Sequence, residues 1–191
     1  MSGIDLMVFD TETTGIPDWK EPSGGENQPH IVEIAAVIVN PFTEEIKDTL
    51  ELIVAPDGWE IPDEVAAIHG LTTELATENG LPEAEVLQLF LKFWGSRKRI
   101  AFNTTFDNRI IRIATKRFCD GDTIDFWKAG SYECAMIGSR KVMGGKQPKL
   151  SEAYEYFTGK PLEEAHSAMA DVKATIEVYF KMKAAAGQVP G

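Results

Sequence analysis

Three apolar stretches in the first third of the chain have the pattern of β-strands. Residues 6–10 are apolar up to an acidic end, residues 31–39 are almost continuously apolar and β-branched, and residues 46–54 alternate between apolar and polar positions. A continuous apolar run is typical of a strand buried on both faces, whereas alternation is typical of a strand with one face in solvent. The short turn at residues 42–45 predicts that the second and third strands pair antiparallel.

Helical periodicity dominates the rest of the chain. Apolar residues spaced three or four apart predict helices over residues 82–94 and 106–118, and a long last helix over residues 167–186. Two short segments, 99–102 and 122–126, are predicted as further strands. Shorter helices are predicted for residues 62–68, 72–78, 132–143 and 150–157. This order predicts an α/β domain with one mixed sheet that helices cover on both faces.

The composition is that of a globular protein without disulfides. The chain has 191 residues, and we predict one domain over residues 1–186 followed by a disordered tail over residues 187–191. It has no run of about 18 apolar residues and no basic-then-apolar N-terminus, so we predict no membrane span, no signal peptide and a cytoplasmic location. Cys119 and Cys134 lie in no Cys-x-x-Cys motif, so we predict reduced thiols.

Charge is unevenly distributed along the chain. The formal net charge is −11, yet residues 92–149 hold 13 Lys and Arg against 5 Asp and Glu. A basic segment in an acidic protein could steer a polyanion onto one face. The alternative is that these cations only solvate helix surfaces.

Two carboxylates end the first predicted strand. Asp10 and Glu12 are two positions apart, so their side chains point to the same face of the strand. Acidic groups at the tip of a buried strand are costly unless a cation neutralises them, and a hard divalent cation such as Mg²⁺ takes oxygen ligands. The alternative is a polar turn in which both acids are solvated.

Further candidate residues follow the later elements. Asn103 ends the predicted strand at 99–102, and Asp107 falls in the first turn of the next helix, near the carboxyl end of the sheet where sites form in open α/β proteins. His166 and Asp171 are five residues apart, which on a regular helix separates their side chains by about 140°. We therefore predict that Asp171 faces the site from the last helix and that His166 lies in the loop before it. Taken singly, Asp107 could merely favour a helix N-terminus, and the other two could be solvated.

The order of these residues is Asp-x-Glu, Asn-x-x-x-Asp and His-x-x-x-x-Asp, and the chain resembles the DEDDh family of 3′→5′ exonucleases over nearly its whole length. That family includes polymerase proofreading subunits, ribonuclease T and oligoribonuclease. The Thr-Glu-Thr-Thr-Gly form resembles the proofreading branch, and the absence of a tyrosine four residues before Asp171 separates the chain from DEDDy relatives. Phe102, where relatives often have histidine, and the long loop at 17–29 depart from the family pattern. The matching segments are residues 9–15, 30–36, 68–72, 103–107 and 166–171.

This resemblance implies a ribonuclease H-like three-layer α/β fold with a central mixed five-stranded sheet. It also implies a metal-dependent 3′→5′ exonuclease that acts on single-stranded or frayed DNA and releases nucleoside 5′-monophosphates. The partners it implies are single-stranded 3′ ends and a DNA polymerase that could bind in trans. Two divalent ions, Mg²⁺ with Mn²⁺ able to substitute, would be held by Asp10, Glu12, Asp107 and Asp171. Asp10 would bridge both ions, Asp107 would act mostly through water, and His166 would accept a proton from the attacking water. The alternatives are an RNA 3′-end trimming enzyme of the ribonuclease T or oligoribonuclease kind and a polymerase-accessory binding module with little activity.

The resemblance also places substrate contacts around these acids. Phe106 could stack on a base or pack in the core, and Asn103 could bind sugar or phosphate or cap its helix. His69 could reach the site or merely end a helix, while the segment after Glu12 would approach the terminal nucleotide, with Ile16 as an apolar wedge. The predicted substrate-binding set is Thr13, Thr14, Gly15, Ile16, His69, Asn103 and Phe106.

A basic stripe lies on one of the predicted helices. Arg109, Arg112 and Lys116 are spaced three and four apart, so they share one face of that helix. We predict that this stripe, together with Lys146 and Lys149, contacts phosphates ahead of the scissile bond.

Overall fold

The centre of the sheet is a strand over Ile31–Val39 in which all nine residues are buried. The structure, a computed structural model, describes residues 5–163 and 167–187. Its strands are β1 (Leu6–Thr13), β2 (Ile31–Val39), β3 (Ile46–Ala55), β4 (Leu81–Pro82), β5 (Lys98–Ala101) and β6 (Tyr132–Cys134). They form one mixed sheet in the order β4-β3-β2-β1-β5-β6. Both β1 and β3 run antiparallel to β2, which confirms the predicted pairing of β2 with β3, while β5 runs parallel to β1.

Apart from α5, the helices fall close to where periodicity predicts them. They are α1 (Asp63–His69), α2 (Thr73–Asn79), α3 (Glu83–Trp94), α4 (Thr104–Phe118), α5 (Gly121–Ala129), α6 (Ala135–Met143), α7 (Leu150–Thr158) and α8 (Ala168–Ala185). Within the described ranges, no helix has the length and apolar character needed to cross a membrane. Gly187 is the last described residue, so most of the predicted tail at 187–191 lies outside the described part of the chain.

Alternation along β1 divides the hydrophobic core between the two faces of the sheet. Leu6 and Val8 point to one face, where they pack with residues of α6, α7 and α8. Met7 and Phe9 point to the other face, where they pack with residues of α3, α4 and α5. Successive strand residues alternate faces, so one short strand contributes to both halves of the core. The predicted three-layer α/β arrangement is confirmed.

One predicted strand is wrong, and the sheet has six strands instead of five. Residues 122–126 lie within α5, because the side chain of Asp120 caps that helix by accepting from the backbone N–H of Thr123 at 2.8 Å. Helical geometry also buries Trp127 against the aromatic side chains of α3. Residues 132–134, predicted to begin a helix, instead form β6 and pair parallel with β5. The two-residue β4 completes the opposite edge.

The long loop between β1 and β2 is held against α4. Within the loop, the buried Gln28 side chain accepts from the backbone N–H of Asp18 at 3.1 Å and donates to the Asp18 carbonyl at 3.0 Å. From α4, Arg109 donates to the carbonyls of Asp18 and Glu21. Arg117, two turns further along α4, donates to the carbonyls that end the loop. Arg109 therefore fastens the loop, which differs from the predicted phosphate contact.

Candidate active site

Two carboxylates stand at the carboxyl end of β1. Asp10 and Glu12 continue the side of the strand that carries Leu6 and Val8, so they point toward α8. β1 pairs with β2 along one edge and with β5 along the other. Asp10 and Glu12 both pair with β2, and β5 pairs with the preceding residues 6–8, so the sheet fixes the face to which the two side chains point.

A third carboxylate reaches the same place from the first turn of α8. Asp171 belongs to that turn, which begins where the Ser167 side chain accepts from the backbone N–H of Ala170 at 3.3 Å. One carboxylate oxygen each from Asp10, Glu12 and Asp171 lies within 4.8 Å of the other two. The structure therefore brings together acids from opposite ends of the sequence, in the positions that the motif spacing predicts.

The fourth carboxylate approaches from the other face of the sheet. Asp107 is buried in the first turn of α4, and its Oδ1 accepts a hydrogen bond from the Thr11 hydroxyl at 2.9 Å. Thr11 lies between Asp10 and Glu12 and points to the opposite face of β1. Asp107 is outside the close trio, but its charge is the largest electrostatic contribution from any side chain to the raised pKa of Asp10.

Burial and mutual repulsion hold these acids toward their neutral forms. Burial first, and then the charges of Asp107 and Glu12, raise the pKa of Asp10 well above its ordinary value. Burial and the charge of Asp171 raise the pKa of Glu12 to about 8. Burial likewise raises the pKa of Asp107 to about 7, although the Thr11 hydrogen bond opposes that shift. A cation at this point would reverse the repulsion, because an opposite charge favours the ionised carboxylates.

The donor set fits a divalent metal ion. Its ligands are carboxylate oxygens only, which hard divalent cations prefer over nitrogen or sulfur. The trio of Asp10, Glu12 and Asp171 is close enough to share one ion. Asp107 reaches Asp10 electrostatically from the α4 face of the sheet. The residues that the sequence predicts as metal ligands thus form an acidic cluster that could hold a divalent metal ion.

A cleft of about 200 Å³ opens onto the acids. Asn103 and Phe106 line it together with Leu150, the first residue of α7. Asn103 occupies the N-cap position of α4 but is exposed, and within the described chain its side chain makes no capping bond. Phe106 is half-buried and also packs against the core on the α4 face, so it contacts both the cleft and the core.

The chain beyond Glu12 is folded tightly into the start of the loop. Thr13 donates its hydroxyl proton to the carbonyl of Gly15 at 2.8 Å, and the Thr14 hydroxyl accepts from the backbone N–H of His30 at 3.0 Å. Ile16 follows with 78% of its surface exposed, although it is a large apolar residue. Ile16 is not among the described residues that line the cleft, so its role as a wedge against a base stays a prediction.

The two predicted histidines have different outcomes. His69 ends α1 and is buried, and its Nδ1 accepts from the backbone N–H of Leu71 at 3.2 Å. Burial lowers the pKa of His69, and the residue is not among those that line the cleft within the described ranges. This geometry favours the helix-ending alternative. His166 lies outside the described residues.

Glu33 is a residue of this site that sequence reasoning did not select. It stands directly opposite Glu12 in the β1–β2 register, and its side chain accepts from the backbone N–H of Ala168 at 2.9 Å. That bond joins β2 to the N-terminus of the helix that carries Asp171. Burial raises the pKa of Glu33, while the Ala168 hydrogen bond opposes this shift. The signal in the sequence was a single charge inside an otherwise apolar strand.

Comparison with known proteins agrees with this geometry. A family model for exonucleases, RNase_T, matches residues 7–179, a range that contains all four carboxylates. The chain therefore belongs to this exonuclease family, the DEDD 3′→5′ exonucleases.

Two relatives of the chain are much longer than the chain itself. It is 30% identical over 186 residues to a DNA polymerase III subunit epsilon-like protein of Rhodobacter capsulatus, covering 94% of this chain and 24% of that protein. It is 30% identical over 178 residues to a PolC-type DNA polymerase III of Caldanaerobacter subterraneus, covering 93% of this chain and 11% of that protein. The zinc-bound Escherichia coli exonuclease I–single-stranded DNA complex superposes with a TM-score of 0.76 at 18% identity, covering 95% of this chain and 41% of that one. This last likeness shows a shared fold.

Without a metal ion, the protein should lose stability as pH rises. Carboxyl groups with raised pKa values bind more protons in the folded than in the unfolded chain, so the free energy of unfolding falls from pH 4.5 to about 8, the interval that burial opens for Glu12. Asp10→Asn removes one charge from the cluster. In EDTA it should raise the melting temperature, most strongly near pH 8, by about 2–4 °C per kcal/mol of repulsion relieved. Thermal denaturation from pH 5 to 8 measures this. An unchanged or lower melting temperature at pH 8 would contradict the repulsive cluster.

Glu33 should support metal binding by anchoring α8. Glu33→Ala removes the acceptor for Ala168 and should weaken Mn²⁺ binding roughly ten- to a hundredfold, as is typical when a group that positions a ligand is lost. Glu33→Gln keeps an oxygen that can accept this bond and should retain most of the affinity. Calorimetric titration with Mn²⁺ measures both, with Glu78→Ala, an exposed acid of α2, as the control. Equal affinities in Glu33→Ala and the control would show that the anchor is dispensable.

Proposed function

We propose that this chain hydrolyses phosphodiester bonds from the 3′ end of single-stranded or frayed DNA and releases nucleoside 5′-monophosphates, as a proofreading-type exonuclease. The observation that carries the proposal is the convergence of Asp10, Glu12, Asp107 and Asp171, from three distant segments, on one point beside a cleft. Acids with a purely structural role are rarely brought together at such electrostatic cost, whereas the acids of catalytic sites often are. Membership of the exonuclease family supports the same conclusion.

Two divalent ions, Mg²⁺ with Mn²⁺ able to substitute, complete the proposed site. Asp10, Glu12 and Asp171 would hold one ion, and Asp10 with Asp107 would hold the second. Such a pair of ions supplies activation of a water and stabilisation of the leaving oxygen in an in-line displacement. The protein's own contribution is to hold four ionised carboxylates in place on a strand and two helices.

The remaining predicted residues would receive the 3′ end. The cleft that Asn103 and Phe106 line is open to solvent beside the acids, and Ile16 projects from the adjoining loop. We assign the terminal base to the apolar surfaces and the sugar or phosphate to Asn103. Thr13, Thr14 and Gly15 would shape the backbone that the terminal nucleotide meets. His69 is placed as a helix-ending residue, so we do not assign it a substrate contact.

A polymerase is the proposed partner. Two of the relatives are described as a DNA polymerase III subunit epsilon-like protein and a PolC-type DNA polymerase III. This chain spans about a quarter or less of their length. Because these relatives are named as polymerase III proteins, we propose that the chain edits 3′ ends for a DNA polymerase, bound in trans.

Product analysis with end-labelled oligonucleotides tests the proposed activity. With Mg²⁺ or Mn²⁺, 5′-labelled single-stranded DNA should shorten stepwise and 3′-labelled DNA should release labelled mononucleotide at once, and EDTA should stop both. Asp10→Ala should reduce the rate at least about a thousandfold, since it removes the proposed bridging ligand. Asp125→Ala, an exposed acid on α5, is the matched control and should be unaffected. Faster degradation of matched RNA would identify an RNA-trimming enzyme instead, and no hydrolysis of either would indicate a binding module.

The predicted general base can be tested separately. His166 has an ordinary pKa of about 6.5, so a reaction that needs its neutral form should accelerate as pH rises through that value. At saturating Mg²⁺, His166→Ala should slow hydrolysis and remove this rise. The measurement is the turnover rate of single-stranded DNA between pH 5.5 and 8. Persistence of the same rise in the variant would assign the proton to another group.

A further inference from the structure

A second cavity lies on the other side of α4 from the acidic cleft. Its volume is about 320 Å³, and it shares no lining residue with the cleft. The β1–β2 loop, α4, α5 and β6 form its walls. Among the described residues that line it there are four cations and no carboxylate, namely Arg99, Arg109, Arg112 and Lys128. In a protein of net charge −11, such a cavity is a local reversal of the overall sign.

Arg99 is the unusual residue of this cavity. It is 1% exposed, and its Nη2 donates to the carbonyl of Gly130 at 2.7 Å. Its Nε and Nη1 have no acceptor anywhere in the described ranges. The guanidinium lies 3.6 Å from the ring centroid of Trp127, so part of its charge is compensated by the aromatic face. Two buried N–H groups nevertheless remain without the hydrogen bonds that buried donors normally make.

The neighbouring cation makes this arrangement more costly. Burial lowers the pKa of Arg99 to about 10; Tyr132 opposes this shift, and the nearby charge of Arg112 adds to it. The buried Nε of Arg112 also has no hydrogen-bond acceptor in the described part of the chain. Two guanidinium groups that repel each other and carry spare donors form a receptor for an anion. The planar fork of arginine matches the oxygens of a phosphate.

Aromatic side chains flank the cations. Trp19 on the loop is 53% exposed, and Tyr132 on β6 is 58% exposed, and both line the cavity. Exposed aromatic rings beside a cationic pocket are suited to stacking on a nucleobase. Arg109 lies over the Trp19 ring at 5.8 Å while it holds the loop carbonyls, so the loop that presents Trp19 is fixed to the cavity wall.

We propose that this cavity binds the phosphate of a nucleotide, with the base against Trp19 or Tyr132. The ligand class follows from the cations and the aromatic rings, and its link to nucleic acid rests on the proposed function. Two sources share this chemistry, a free nucleoside 5′-monophosphate and a phosphodiester of the strand outside the acidic cleft. Of the predicted basic stripe, this assigns Arg112 to phosphate, whereas Lys116 is not among the lining residues.

Binding in EDTA tests the proposal independently of catalysis. Without metal ions the acidic cleft repels anions, so phosphate binding reports the second cavity. Calorimetry at physiological ionic strength should detect inorganic phosphate, thymidine 5′-monophosphate and an eight-residue oligothymidylate. The double variant R112Q/K128Q should weaken phosphate and nucleotide binding at least about tenfold, because charge-assisted hydrogen bonds are lost. K181Q, which neutralises an exposed cation on α8, is the control and should bind as the wild type does.

A second variant separates the base from the phosphate. Trp19→Ala should weaken the mononucleotide but leave inorganic phosphate unchanged, because stacking is lost and the cations remain. Oligothymidylate binding that falls in R112Q/K128Q would identify the strand as the source, and a loss confined to the mononucleotide would identify the released product. The proposal is overturned if no phosphate or nucleotide binds in EDTA, or if R112Q/K128Q, shown to be folded by thermal denaturation, binds as tightly as K181Q. Hydrolysis that fails while this binding persists would refute the proposed activity alone.

Discussion

Repulsion between carboxylates that the fold has partly removed from water is the interaction on which the rest of this structure depends. Asp10, Glu12 and Asp171 share one point, and Asp107 stands beside them from the opposite face of the sheet. Each would be more stable in solvent than in this company. Keeping them together therefore lowers the stability of the fold. It also leaves oxygen ligands in place that could hold a divalent cation.

Each acid has a different support, and this explains why the architecture is needed in full. The sheet fixes Asp10 and Glu12 because both residues pair with β2, directly after the part of β1 that also pairs with β5. Thr11, alternating to the other face of the same strand, holds Asp107. Glu33, on the next strand, holds the start of the helix that carries Asp171. A sheet covered on both faces is the arrangement that lets one strand tip meet helices from both sides.

The sequence predicts those parts of the molecule whose structure follows from a local pattern of residues. Buried strands, long amphipathic helices and paired acids belong to that group, and so does the three-layer arrangement. The prediction of a strand at residues 122–126 is wrong because Ile124 and Phe126 alternate with polar residues, and five residues are too few to reveal a helical period. The burial of Trp127 decides for the helix. His69 and Glu33 show the limit for the site: a histidine at a helix end and a charge in a strand acquire meaning only from neighbours distant in sequence. The anion cavity depends likewise on which cations lack acceptors, and that is visible only in three dimensions.

The hydrogen bond between Glu33 and Ala168 spans 135 residues of the chain. Closing a loop of this size costs chain entropy before the contact forms, and contacts of long sequence separation are associated with slow folding. During synthesis from the N-terminus, β1 and β2 emerge long before α8, and the acids on β1 then lack their third partner. The centre is consequently completed only by the last helix. Because the acids repel one another, a cation that binds all of them would favour the packing of α8 against β1. The stability of the completed fold would then depend on the supply of divalent ions.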